Sequence, residues 1–130
     1  MSFKLVAATD TNRTAAEATE LSAYNASSNT GDLDFGALQY LETKVIKFKI
    51  ANTGASKGTF TITILSDNTG LATNTTISTD GNTYSTSAIV YVRPNRVSEV
   101  LYLKHYVNVD TAGIAKENEQ GTIKIKVVEA

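Results

Sequence analysis

The sequence predicts an all-β protein, a sandwich of two antiparallel sheets with about seven or eight strands. Three observations predict it. Apolar residues recur with a period of two: Ile46, Phe48 and Ile50 oppose Lys47 and Lys49, while Phe60, Ile62 and Ile64 alternate with Thr59, Thr61 and Thr63. Clusters of Gly, Asn, Asp and Ser separate the alternating runs, as turns require. Thr, Ser and Asn stand where charge would otherwise be, and their side chains compete with helical hydrogen bonding. No stretch shows the helical crossovers that parallel strands need.

The elements follow in order. Met1 to Ala8 reads as a first strand, because its lone lysine and short apolar run do not make a signal peptide. Leu33-Asp34-Phe35-Gly36 opens a second strand, and Glu42 to Asn52 carries the third. Asn52 to Gly58 holds two glycines, an asparagine and a serine, which predicts a hairpin joining the third run to Phe60–Ile64. After a turn at Ser66–Gly70, a Thr-rich edge segment runs through Ile77. Asp80-Gly81-Asn82 is a tight turn feeding Tyr84 to Val92, and Pro94 stops that run for want of an N–H. Val97 to Val109 is the longest strand signal, with Leu101, Leu103, His105, Val107 and Val109 on one face. A polar loop from Asp110 to Gln120 precedes a last strand in which Ile123, Ile125 and Val127 alternate with Lys124 and Lys126.

The whole chain, 1–130, reads as one domain with a polar N-terminal arm or insertion at 9–32. In that segment only Leu21 and Tyr24 are sizeable apolar groups. Thr14-Ala15-Ala16-Glu17 has capping-box spacing, which fits a short helix from about Ala15 to Ala23; an extended arm fits equally. Such a composition does not pack by itself, so a neighbouring subunit is expected to order it.

Composition excludes several classes. A net charge of −1 gives no field to gather nucleic acid or an anionic membrane, and the lysines lie singly on outward strand faces. No cysteine is present, so disulfides, iron–sulfur clusters and thiol nucleophiles are out. No apolar run reaches the roughly 20 residues that cross a bilayer as a helix. The sequons at Asn12, Asn25 and Asn74 then read as accidents of an Asn/Thr-rich chain.

Leu33-Asp34-Phe35-Gly36, then Glu42-Thr43 before a strand ending Asn52-Thr53-Gly54, resembles the Hydin-type immunoglobulin-like domains. The match covers about a sixth of the chain. It implies an immunoglobulin-like sandwich in which Gly36 and Gly54 serve turns while Phe35 and Phe48 fill the core. The polar N-terminal segment is a departure from that pattern. In style, a small Cys-free sandwich rich in Thr, Asn and Ser also resembles the decoration, neck and tail proteins of tailed-phage virions.

Candidate chemistry is sparse. His105, the only histidine, reads as a partly buried strand residue with a hydrogen-bonded ring rather than a general base, and no nucleophile motif accompanies it. Asp32, Asp34, Asp67 and Asp80 sit in or near turns, where carboxylates bond their own backbone, and no calcium-loop spacing occurs. We therefore expect no catalytic residues, no metal and no cofactor. The aromatics carry more weight. Tyr102 and Tyr106 share a strand face about 13 Å apart, and both faces of Val97–Val109 are too apolar for one to be left wet. Leu21, Tyr24, Tyr40, Tyr102 and Tyr106 are the candidate interface.

The expected function is a non-enzymatic structural subunit of a virion, made in the host cytoplasm. It would attach to a capsid or tail lattice, or to its own copies, through a sandwich face and the arm. A carbohydrate- or cell-surface-binding module with tyrosines as its platform is the alternative, and a unit of a larger multidomain protein is a third reading.

Overall fold

The computed structural model describes residues 3–21, 30–34, 43–55, 58–64, 75–106 and 122–129. Eight strands follow in chain order: β1 (Phe3–Ala7), β2 (Thr30–Asp34), β3 (Thr43–Asn52), β4 (Gly58–Ile64), β5 (Thr75–Ser78), β6 (Ser87–Val92), β7 (Leu101–Tyr106) and β8 (Thr122–Glu129). Among the described residues there is no helix. Two four-stranded sheets form, ordered β1-β3-β7-β5 and β2-β8-β4-β6, and every pairing is antiparallel.

One core lies between the sheets. From the first sheet come Phe3, Leu5, Phe48, Ile50, Ile77, Leu101 and Leu103; from the second, Phe60, Ile62, Ala88, Val90, Val92, Ile125 and Val127. Each set occupies alternate positions, so the period of two in the sequence becomes one dry face per strand. Phe48 pairs with both Ala7 and Leu101 and is fully buried, which puts it at the middle of the first sheet.

The strand order has a definite logic. Taken along the chain, β1, β3, β4, β5, β7 and β8 occupy the positions of strands A to F in a sandwich whose sheets read A-B-E-D and C-F-G. The place beside β8, where a last strand would lie, is filled by β2 from near the start of the chain. β6 adds a strand beyond β4.

This order corrects the hairpin expected between Ile46–Ile50 and Phe60–Ile64. β3 and β4 belong to different sheets and face each other across the core; β4 pairs with β6 and β8 instead. The connection after Asn52 is an arch between layers. Asn52 secures it: its buried Nδ2 donates to the Val92 carbonyl of the other sheet (3.0 Å) and its Oδ1 accepts the Gly54 N–H (2.9 Å). Gly58, where the chain enters β4, has no room for a side chain, since a Cβ would sit 2.7 Å from the Phe60 ring. Of the other residues behind the family resemblance, Phe48 fills the core as expected, while Phe35 and Gly36 lie outside the described residues.

Two further expectations shift. The run from Tyr84 forms a strand only from Ser87, and Val97–Val109 only over Leu101–Tyr106, with 107–109 outside the described residues. The reason is that Ser85 and Val97 make isolated bridges, to Ile77 and Ala51 respectively, in place of continuous ladders.

The stretch predicted as an arm differs most. Its last part, from Thr30, is β2, and residues 22–29 lie outside the described residues. Residues 10–21 are neither helix nor free arm but a strap laid over β1 and β3. Ala15 and Ala18 are buried there against Val6, Ala51 and Val97, a second small core on the outer side of the first sheet. Thr14 and Glu17 do meet, Oγ1 to Oε1 at 2.8 Å, and the Ala18 N–H reaches the Thr14 carbonyl, but the capping signal yields a single turn. The neighbour that orders this part of the segment is the chain's own sheet.

Candidate functional site

The strap shows how a polar segment is held without a large core. Lys4 Nζ donates to the Ala15 and Ala18 carbonyls at 2.8 and 3.1 Å, capping the turn with positive charge. Asp10 accepts the Asn12 and Thr19 N–H groups, and Lys49 Nζ donates to the Asp10 carbonyl. The Thr19 and Asn12 N–H bonds hold the Asp10 carboxyl below its ordinary range. On the far side stands the turn Arg93–Arg96, closed by the Arg96 N–H on the Arg93 carbonyl, with Pro94 and a left-handed Asn95 (φ 54°) at its centre. Asn95 accepts the Ala15 N–H on its carbonyl and the Ala16 N–H on its Oδ1. Between strap and turn lies an open cleft of about 690 Å³, lined by Arg13, Glu17, Lys49, Arg96 and Glu99 among others. Cations and carboxylates are mixed there, so it presents no single sign to a ligand.

The strap's end also closes a sheet edge. Glu20 bridges Val6, and the Leu21 N–H donates to the Leu5 carbonyl at 2.6 Å. The opposite edge, β5, is closed by Ser85, which exchanges both backbone bonds with Ile77 at 2.8 and 2.9 Å.

Of the predicted interface residues, Leu21 and Tyr102 have described side chains, and these two lie apart. Leu21 is exposed (47%) beside β1, and Tyr102 lies two strands away on β7. Tyr24 and Tyr40 are outside the described residues. Tyr106 ends β7 opposite Thr43, and its side chain is outside the description too. Tyr102 is half-buried by its own chain. Gly81, in the left-handed region (φ 82°), comes so close that a Cβ would lie 3.1 Å from the ring, and Lys47 Nζ sits 5.7 Å from the ring centroid. Beside it, Lys104 Nζ stands 3.9 Å over the Tyr84 ring. Burial, with Tyr102 and Asp80 nearby, raises the Tyr84 phenol. The outer side of β7, read from the sequence as needing a partner, therefore has its cover at Tyr102 from the loop after β5.

That loop is built on Asp80, whose carboxylate accepts the Asn82 and Thr83 N–H groups and the Ser78 hydroxyl at 2.8–2.9 Å. The Thr83 and Asn82 bonds push its pKa down to about 2. His105 is fully buried, its Nδ1 2.8 Å from Thr75 Oγ1 directly across the β5–β7 pair. It faces the core, where no substrate could reach it. Among the described residues no group of three or more His, Asp or Glu is placed to hold a metal ion, and no helix is long and apolar enough to cross a membrane.

The surface the sequence reading missed is the outer face of the second sheet. Ile89 (55% exposed), Tyr91 (69%) and Val128 (43%) point outward there. Thr61 pairs with Ile89 on one side and Val128 on the other, so these three make a row about 10 Å long across β6, β4 and β8. Thr59 pairs with Tyr91 in the adjacent row. The result is a patch of apolar groups and threonines without charge at these five positions. The signal was hidden because Ala88 to Val92 is apolar at every position, so alternation could not tell inner from outer.

Comparison of the chain with protein-family models, curated proteins and solved structures finds no match.

Proposed function

We propose that this chain is a non-enzymatic structural subunit that attaches to a repeating protein lattice, of the kind a tailed-phage virion offers, through the outer face of its second sheet. The observation that carries the reading is the Ile89-Thr61-Val128 row with Tyr91 beside it. Three large apolar side chains, Ile89, Tyr91 and Val128, are exposed on this one face, while among the described strand residues of the first sheet Val45 is the one exposed large apolar group and Tyr102 is shielded by the chain's own loop. Apolar surface grouped in this way is stabilised by being covered, and an aromatic with a polar tip suits a protein contact. The strap buries Ala15 and Ala18 on β1 and β3 and leaves Leu21 exposed at its end, so it offers the attachment one apolar group where the second sheet offers three. The small, Cys-free, Thr-rich character of the chain agrees with a virion protein in style.

Quantitative mass spectrometry of gradient-purified particles from the source tests this. The chain is expected at a fixed ratio to the lattice protein, and the Ile89→Ala, Tyr91→Ala pair is expected to lose attachment while keeping its fold. Absence from particles overturns the reading.

Tyr91 supports a second reading. A ring this exposed, with the Thr59 hydroxyl on the paired strand, is a platform on which a sugar ring can stack. Binding of the isolated chain to a glycan array, lost in Tyr91→Ala, would favour that module over the lattice subunit.

A further inference from the structure

The four sheet edges are not treated alike. β1 is closed by Glu20 and Leu21, and β5 by Ser85. β2 is an edge of the second sheet, with the sequence Thr-Gly-Asp-Leu-Asp. β6 is the fourth. Its sequence Ser-Ala-Ile-Val-Tyr-Val has no charge, proline or glycine, and among the described residues no segment pairs with its outer edge. The Ser87 carbonyl accepts the Ser85 hydroxyl and the Val92 carbonyl accepts Asn52 Nδ2, which closes the two ends. Along Ala88–Tyr91, alternate residues turn their N–H and C=O groups away from β4, as on any edge strand.

We propose that β6 pairs with β6 of a second copy, antiparallel about a two-fold axis at Val90, to make one continuous eight-stranded sheet. The occupant follows from the strand itself. A second β6 brings no charge against this one and carries the same β-branched and aromatic residues. Only pairings that keep outward residues opposite outward residues leave both cores intact. Among these, centring on Val90 sets Ile89 against Tyr91 twice, an aromatic against a β-branched residue, which is a favourable cross-strand pair. Centring on Ile89 would leave Tyr91 opposite Ser87. The proposal goes beyond the lattice reading: the pairing would join two attachment faces into one, but it is a property of the isolated chain.

Sedimentation equilibrium of the purified chain over a wide concentration range tests it. We expect a reversible dimer, with Ile89→Lys and, separately, Tyr91→Lys each raising the dissociation constant at least about ten-fold. Both side chains face solvent, so the melting temperature of the monomer should stay unchanged, and circular dichroism checks that each variant is folded. Because the chain has no cysteine, register is read by cross-linking. Opposed residues in an antiparallel pair lie about 4.5–5.5 Å apart at Cα, within disulfide reach. Ile89→Cys mixed with Tyr91→Cys should therefore cross-link far faster than either variant alone. A monomer at every concentration, a dimer indifferent to both lysines, or cross-linking of Ile89→Cys only to itself would overturn the proposal. A monomer found on particles sinks the pairing alone, whereas a dimer absent from particles sinks the lattice reading alone.

Discussion

Thr75 and His105 face each other across β5 and β7 with Oγ1 and Nδ1 2.8 Å apart, in a position that solvent does not reach. A polar ring at the end of an apolar face is tolerated because its partner is fixed by strand register. Thr75→Val keeps the shape and removes this hydroxyl. We expect it to destabilise the fold by about 1–3 kcal/mol, the cost of leaving a buried polar group without one bond, measured by urea unfolding. Thr75→Ser should retain most of the lost stability.

Gly58 is set by the ring two residues on. Gly58→Ala places a methyl group 2.7 Å from one Phe60 ring carbon and 2.8 Å from another, in the core. The ring must move or the entry of β4 must shift, an overpacking cost of about 1–3 kcal/mol. Gly58→Ala combined with Phe60→Leu should recover part of that loss relative to the sum of the single changes, and chemical denaturation of all three variants reads the difference.

Acid should loosen the loop over Tyr102 before it unfolds the sandwich. Asp80 has its carboxyl at about 2 when folded, against an ordinary 3.8. A depressed folded value contributes stability in full above about pH 4, and that stability is lost as pH falls towards 2. Asp10 is shifted in the same direction. Asp80→Asn should remove part of the acid dependence of unfolding between those values. Protection of the Thr83 amide, which the carboxylate holds, should fall at low pH in the parent chain when its exchange rate is compared with the intrinsic rate at the same pH.

The strap offers a test by proteolysis. Arg13 lies within it, and cleavage there requires the turn at Ala15–Ala18 to lift from β1 and β3. Asn95→Ala loses the Oδ1 bond to Ala16 and strains a left-handed position, whereas Asn95→Gly loses only the bond. Trypsin should cut the Ala variant fastest, the Gly variant next and the parent slowest. Global stability should change by no more than about 1–2 kcal/mol.

The inner faces were legible in the sequence because burial on one side of a strand writes a period of two, and Phe48/Ile50, Phe60/Ile62 and Leu101/Leu103 carry it plainly. Pairing was not. Two strands that join as a hairpin and two that face each other across a core show the same alternation and the same turn residues, so β3 and β4 were misread. The strap was invisible for a different reason. Its buried groups are two alanines, and its polar groups are satisfied by Lys4 and Asn95 as well as by Asp10, contacts that reach across the chain. The approach of Gly81 to the Tyr102 ring was invisible as well, because nothing in the strand announces it. The outward patch was lost in a strand apolar on both sides.

Asn52 does more than hold the arch. Its N–H donates to the Arg96 carbonyl and its carbonyl accepts the Asn95 N–H, while its side chain reaches Val92 in the other sheet. The turn that grips the strap is thus built on a residue that is satisfied only once both layers have met. The strap cannot find its seat on an open chain. It should be the last part to settle during folding and the first to lift in the native state, so that its amide protection would follow assembly of the core without contributing to the rate-limiting step.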